Sequence, residues 1–86
     1  MITLTLLTKH DCAWCSDGRE ILDQLSHEFP LQIEEVNLES EQGRHLASEY
    51  HLMFAPGLIA NDRLIAHGRM SKRALRRNLS RLAETG

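Results

Sequence analysis

The spacing of the two cysteines constrains this chain more than any other feature. Cys12 and Cys15 form a C-x-x-C motif and are the only cysteines among 86 residues. An apolar, strand-like run (residues 2–7) precedes them, and a helix-like run (residues 16–27) follows them. Cys12 is therefore predicted at a helix N-terminus, where unpaired backbone N–H groups and the helix dipole favour negative charge. Such a position lowers the pKa of a thiol and favours the reactive thiolate.

Cys15 follows Cys12 by one helical turn, so the two sulfurs are predicted to lie within reach of a disulfide. In thiol–disulfide exchange, Cys12 at the exposed helix end would be the nucleophile and Cys15 the resolving thiol. Three other interpretations stay open for this motif. The cysteines could be buried and unreactive, they could be a thiolate pair that carries a soft metal such as Cu(I) or an iron–sulfur cluster, or they could be the thiol pair of a non-catalytic redox-sensing module.

Length and composition predict one domain over residues 1–86. The chain is 42% hydrophobic with a formal net charge of −2, which is typical of a globular protein and not of a disordered tail. No apolar run approaches the roughly 20 residues of a membrane span, and the first residues lack the basic region of a signal peptide. We therefore expect a cytoplasmic protein, in which C-x-x-C is more often a redox or metal motif than a structural disulfide.

Charge is distributed unevenly along the chain. Residues 1–50 carry a formal charge of −7 and residues 51–86 carry +5. A basic face of this kind suits nucleic acid or an acidic partner; the alternative is a solvated helix face that the acidic half balances. Because no aromatic residue is interleaved with these cations for base stacking, we expect no nucleic-acid partner.

Hydrophobic periodicity predicts the elements in the order β-α-β-α-β-β-α. The first two strands alternate in polarity, at least in part, and the helices repeat apolar residues every three or four positions. The last two strands are short, mostly apolar runs on either side of a polar turn. The first half is then a right-handed βαβ unit with parallel strands. The predicted strands are 2–7, 31–38, 57–60 and 64–67, and the predicted helices are 16–27, 39–50 and 72–84.

This arrangement resembles the thioredoxin/glutaredoxin family over nearly the whole chain. The resemblance rests on C-x-x-C after a strand, on residues 47–60 with Tyr50 and Pro56, and on the Gly-x-x-Ser-Lys run at residues 68–72. It implies a thioredoxin-like α/β fold with a four-stranded mixed sheet and helices on both faces. It also implies a cis bond between Ala55 and Pro56, which would lie against the cysteine pair.

The resemblance further implies a thiol–disulfide oxidoreductase that acts on disulfides of protein clients. A thioredoxin-reductase-like donor or glutathione would supply its electrons. The backbone of Ala55 would pair with an extended client by strand addition, and Pro56 presents no N–H there. Lys9 and Trp14 fall where glutaredoxins keep a lysine and an aromatic residue, and both are expected to contact substrate.

Two departures from the family pattern matter. Ala13-Trp14 stands between the cysteines, in place of the Gly-Pro of thioredoxins or the Pro-Tyr common in glutaredoxins. Glutaredoxins hold glutathione with a Gly-Gly pair and an acidic residue, where this chain has His67-Gly68 and Met70-Ser71. These replacements argue against a glutathione site, so the only redox group predicted is the Cys12–Cys15 pair. Met53 and Phe54 are candidates for an apolar docking groove, although core packing suits Phe54 equally.

Overall fold

The computed structural model describes residues 1–85; Gly86, the last residue of the predicted domain, lies outside them. Seven elements follow in the predicted order. They are β1 (Ile2–Thr8), α1 (Ala13–Leu25), β2 (Leu31–Asn37), α2 (Glu41–Glu49), β3 (Gly57–Ala60), β4 (Arg63–His67) and α3 (Lys72–Thr85).

Capping residues explain where the observed boundaries differ from the predicted ones. α1 begins at residue 13 and not 16, because Cys12 is its N-cap. α2 begins two residues later than predicted, because the Ser40 side chain caps it by accepting a hydrogen bond from the Gly43 N–H at 3.0 Å. Asn61 and Asp62 both have positive φ, 50° and 60°, as a tight two-residue hairpin turn requires, so β4 begins one residue earlier.

The four strands form one mixed sheet in the order β2-β1-β3-β4. β1 pairs in parallel with β2 and antiparallel with β3, and β3 pairs antiparallel with β4. The predicted four-stranded mixed sheet is confirmed. Only Val36 of the β2 residues is buried, so β2 is more exposed than its alternating pattern predicts, because it is an edge strand.

Alternation along β1 sends side chains to both faces of the sheet, and each face has its own core. Leu4 and Leu6 point to the face that α1 and α3 cover, where Leu22, Leu25, Leu75 and Leu79 are buried. On the other face lie Leu7, Val36, Leu52 and Ile59, against which α2 packs Leu46, Ala47 and Tyr50. The predicted helices on both faces are therefore present, and β1 ends between two packed layers at Thr8.

No helix within residues 1–85 is long and apolar enough to cross a membrane.

Candidate active site

The cysteine pair lies where the chain leaves β1 and enters α1. Asp11 has a φ of 52°, and this left-handed residue turns the chain so that Cys12, at φ −123° and ψ 103°, becomes the N-cap. Cys12 Sγ accepts a hydrogen bond from the backbone N–H of Cys15 at 3.1 Å. A sulfur in this position replaces the serine or aspartate oxygen of an ordinary cap; once the cysteine is reduced, a backbone N–H donor of this kind favours the thiolate.

Cys12 and Cys15 form a disulfide with a Cα–Cα distance of 5.2 Å, which is typical of disulfides. The two halves of this disulfide differ in access. Cys15 is completely buried, whereas Cys12 is partly exposed. A thiol or disulfide of another molecule can therefore approach the pair only from the Cys12 side. This asymmetry leaves one sulfur that another molecule can reach and one that it cannot.

A shallow groove of about 340 Å³ runs past Cys12. It is lined by Lys9, Cys12, Ala13, Trp14, Phe54 and Ala55. Four of the six predicted site residues thus lie together: Lys9, Cys12, Trp14 and Ala55. The other two are buried: Cys15 lies behind Cys12, and Pro56 follows Ala55 through the cis bond that the resemblance implied.

Gly68 closes the groove from the side of β4. Its N–H donates to the carbonyl of Pro56 at 2.8 Å, and its φ of +70° is the left-handed conformation that glycine adopts without strain. A Cβ on Gly68 would lie 3.2 Å from Phe54 Cε2 and 3.9 Å from Trp14 Cζ3. Both aromatic side chains therefore approach the bare Gly68 backbone, and any larger residue there would push them apart.

The rim of the groove is apolar and open. Trp14 and Phe54 are 45% and 49% exposed, and Met53 beside them is 88% exposed. Phe54 also meets the ring of His67 edge-on, at a centroid distance of 6.3 Å. Phe54 is therefore a groove residue and not a core residue, which settles the alternative that the sequence left open. Exposed large apolar side chains clustered at one place are typical of a surface that binds another molecule.

A polar network lies beside the loop that holds Lys9. The buried Thr8 hydroxyl donates to Glu35 Oε2 at 2.9 Å, and Arg19 Nε donates to both carboxylate oxygens at 2.8 and 2.9 Å. The Arg19 hydrogen bond lowers the pKa of the Glu35 carboxyl, burial opposes that shift, and the Thr8 hydrogen bond adds to it. The network ties the end of β1 to α1 and β2 and so holds the loop before Cys12.

Sequence reasoning missed this network, because its members are far apart in the chain and lie on three elements. It also assigned Gly68 no site role, although the Gly-x-x-Ser-Lys run had singled that residue out. Among residues 1–85 no group of three or more His, Cys, Asp or Glu side chains could hold a metal ion. A metal bound to Cys12 and Cys15 would have no further ligand of these types from the described part of the chain.

The profile of the glutaredoxin-like domain (DUF836) matches residues 3–80. The chain belongs to this glutaredoxin-like family. No curated protein sequence matches it significantly. Family membership agrees with the fold, the C-x-x-C motif and the disulfide described above, so this glutaredoxin-like protein is a thioredoxin-fold protein with a redox-type centre.

Solved structures resemble the fold at low sequence identity. A protein described as malarial has a TM-score of 0.72 at 16% identity, with 94% of this chain and 96% of that chain covered. A mutant thioredoxin of Halobacterium salinarum has a TM-score of 0.69 at 18% sequence identity, with 90% of this chain and 70% of that chain covered. Glutaredoxin 1 of Francisella tularensis, solved with cacodylate, has a TM-score of 0.60 at 12% sequence identity, with 98% of this chain and 99% of that chain covered. At such identities the likeness shows the shared fold.

Proposed function

We propose that this protein is a thiol–disulfide oxidoreductase that reduces disulfides in client proteins. The observation that carries the proposal is the asymmetry of the cysteine pair. Cys12 is partly exposed at the groove and its sulfur accepts a backbone N–H, whereas Cys15 is fully buried behind it. An exchange reaction needs one sulfur that a client can reach and a second sulfur that only the first can reach.

The reaction would start from the reduced pair. The Cys12 thiolate attacks one sulfur of the client disulfide, that S–S bond breaks, and the departing client thiolate takes a proton from water. Cys12 and the client are then joined by a mixed disulfide. Cys15 loses its proton and attacks Cys12 Sγ, which re-forms the intramolecular disulfide and releases the second client thiol. In total, two electrons pass from the cysteine pair to the client; of the two protons that the client thiols gain, one is the proton that Cys15 loses and the other comes from water.

Most of the groove residues, and the buried Pro56 behind them, have a role in this proposal. The Cys15 N–H and the positive charge of Lys9 favour the Cys12 thiolate. Trp14 and Phe54 give apolar contact with a client, and the backbone of Ala55 pairs with an extended client segment. Buried Pro56 supports Ala55 without offering a competing N–H.

The remaining parts of the proposal concern the cell. The reaction needs no bound cofactor besides the cysteine pair. A thioredoxin-reductase-like protein or glutathione would return the pair to its reduced form. A reducing compartment, the cytoplasm, would keep the pair in that form.

Insulin reduction in the presence of dithiothreitol tests the proposal, with the Cys12→Ser variant as comparison. Serine is itself a preferred N-cap, so its hydroxyl takes over the hydrogen bond from the Cys15 N–H and preserves the start of α1. The substitution therefore removes the reactive sulfur while it leaves the fold intact. We expect the wild type to accelerate insulin precipitation and the variant to match the dithiothreitol control. A wild type no faster than Cys12→Ser, together with stoichiometric Cu(I) binding, would replace the proposal with a metal carrier.

A further inference from the structure

The outer face of α3 carries a row of arginines. Leu75 and Leu79 of this helix are buried in the core, whereas Arg73, Arg77 and Arg81 are exposed. These three residues are spaced four apart, so they lie on one side of the helix over a length of about 12 Å. We call them the arginine stripe.

The acidic half of the chain does not neutralise the first two arginines of this stripe. Two arginines that do have carboxylate partners lie off the stripe: Arg76 pairs with Glu28 at 2.7 Å, and Arg19 pairs with Glu35 at 2.8 Å. Within residues 1–85, neither Arg73 nor Arg77 has a carboxylate within 4.0 Å. Like charges four residues apart disfavour a helix slightly, so the spacing of these arginines gains nothing from their mutual interaction. Two exposed cations without carboxylate partners are available to an acidic partner.

The segment that leads into α3 begins beside the Cys12 groove. Gly68 contacts the groove aromatics, and exposed Arg69 follows it directly. The next residue, Met70, places its sulfur 3.1 Å from where a Cβ on Gly18 would be, so the segment just before α3 packs on α1 one turn beyond Cys15. Exposed arginines therefore follow the groove residue Gly68 along the chain, first Arg69 and then Arg73 and Arg77 on α3.

We propose that the arginine stripe docks an acidic segment of the client, next to the client disulfide that Cys12 attacks. This inference rests on the oxidoreductase function and specifies which clients the groove receives. Opposite charges would speed the encounter and would orient the client disulfide toward Cys12. A protein segment fits better than nucleic acid for two reasons. The stripe holds no aromatic residue for base stacking, and residues 1–50 carry a formal charge of −7, which would repel a long polyanion.

Two synthetic disulfide-bridged peptides test the inference. They share the residues around the cysteines and differ in a flanking segment of glutamates or of glutamines. We expect the wild type to reduce the glutamate peptide with the higher kcat/KM. Arg73→Gln and Arg77→Gln should each lower that value roughly two- to fivefold and leave the glutamine peptide unchanged. The effect should vanish in about 1 M salt, where the Debye length is about 3 Å.

Arg44→Gln is the matched control, because Arg44 is exposed on α2, across the sheet from α3, and its loss makes the same change in net charge. Glutamine keeps a helix propensity close to that of arginine in all three variants. Equal rates on the two peptides in the wild type would overturn the inference. It would also be overturned if Arg44→Gln lowered the rate on the glutamate peptide as much as Arg73→Gln does.

A binding measurement separates this inference from the proposed function. Labelled copies of both peptides with serine in place of cysteine cannot react, and fluorescence anisotropy reports their binding. If neither disulfide peptide is reduced but the glutamate copy binds through Arg73 and Arg77, the stripe remains a docking site and the oxidoreductase proposal fails. Equal binding of both copies, with a short DNA duplex bound more tightly and released by Arg73→Gln, would overturn the inference in favour of nucleic acid.

Discussion

Two glycines in helix interiors give opposite predictions for the same substitution. Gly18 lies in α1 and Gly43 lies in α2, and both are buried. Helix propensity alone predicts that Gly→Ala stabilises either helix by about 1 kcal/mol. The surroundings of the two residues predict that only one of the substitutions is tolerated.

Gly43 lies against the backbone at the end of β2. A Cβ there would overlap the carbonyl oxygen of Asn37 and would lie 2.8 Å from Leu38 Cα. This carbonyl cannot turn away freely, because it accepts the Ser40 hydroxyl at 2.6 Å. Overpacking of this kind costs about 1–3 kcal/mol, and a backbone overlap belongs at the upper end. After the gain in helix propensity, Gly43→Ala should lower the free energy of unfolding by about 2 kcal/mol and the Tm by roughly 10 °C.

Gly18 faces a side chain that can move. The nearest atom to its Cβ position is Met70 Sδ at 3.1 Å, and a methionine end can shift by a few tenths of an ångström at little cost. Gly18→Ala should therefore be neutral or should stabilise the protein by up to about 1 kcal/mol. Thermal and urea unfolding followed by circular dichroism measure both variants. A Gly43→Ala protein as stable as the wild type, or a Gly18→Ala protein that loses equal stability, would refute this reasoning.

Three further substitutions test the network, the core and the groove. Arg19 lowers the pKa of Glu35 below its ordinary 4.5, so this contact stabilises the fold above that pH and is lost as the pH falls through the lowered pKa. The free energy of unfolding of the wild type should exceed that of Glu35→Gln by at most about 1 kcal/mol, because the pair is so exposed, and this difference should disappear in acid. Urea unfolding that shows the same difference in the free energy of unfolding at every pH would contradict this. Leu79→Ala should cost about 2–5 kcal/mol, because Leu79 is fully buried, and a loss under about 1 kcal/mol in urea unfolding would contradict its place in the core. Phe54→Ala should lower kcat/KM for insulin with little change in Tm, since this side chain is half exposed. An unchanged kcat/KM would show that Phe54 does not contribute to client binding.

Periodicity predicted the helices and the first two strands because their apolar residues recur at the interval of each element, and the polar turn at residues 61–63 predicted the last two strands. Periodicity alone began α1 at residue 16, whereas the argument from the cysteine spacing predicted Cys12 at the helix N-terminus, where the structure has it as the N-cap. Sequence reasoning interpreted Gly43 only as a weak helix former, whereas the structure shows α2 passing against Asn37, where no side chain fits. The close approach of α2 to the end of β2 cannot be predicted from the sequence of either element alone.

The candidate site was predictable to the extent that its residues are close in sequence or recur in a family. Cys12 and Cys15 follow from their spacing, and Ala55 and Pro56 follow from the family resemblance. The Arg19–Glu35 pair joins residues 16 positions apart on different elements, and many other charged pairs were equally compatible with the sequence. The sequence likewise could not tell which arginines of α3 have carboxylate partners.

Covalent trapping of a client tests the central claim most directly. Cys15→Ser keeps the exposed sulfur and removes the buried resolving thiol, so reaction with oxidised insulin should stop at a mixed disulfide. Intact-mass measurement should then find an adduct with insulin through Cys12, which dithiothreitol releases. Cys12→Ser should give none, because its remaining sulfur is completely buried. An adduct of equal yield on Cys12→Ser, or no adduct on Cys15→Ser, would contradict the assignment of Cys12 as the attacking sulfur.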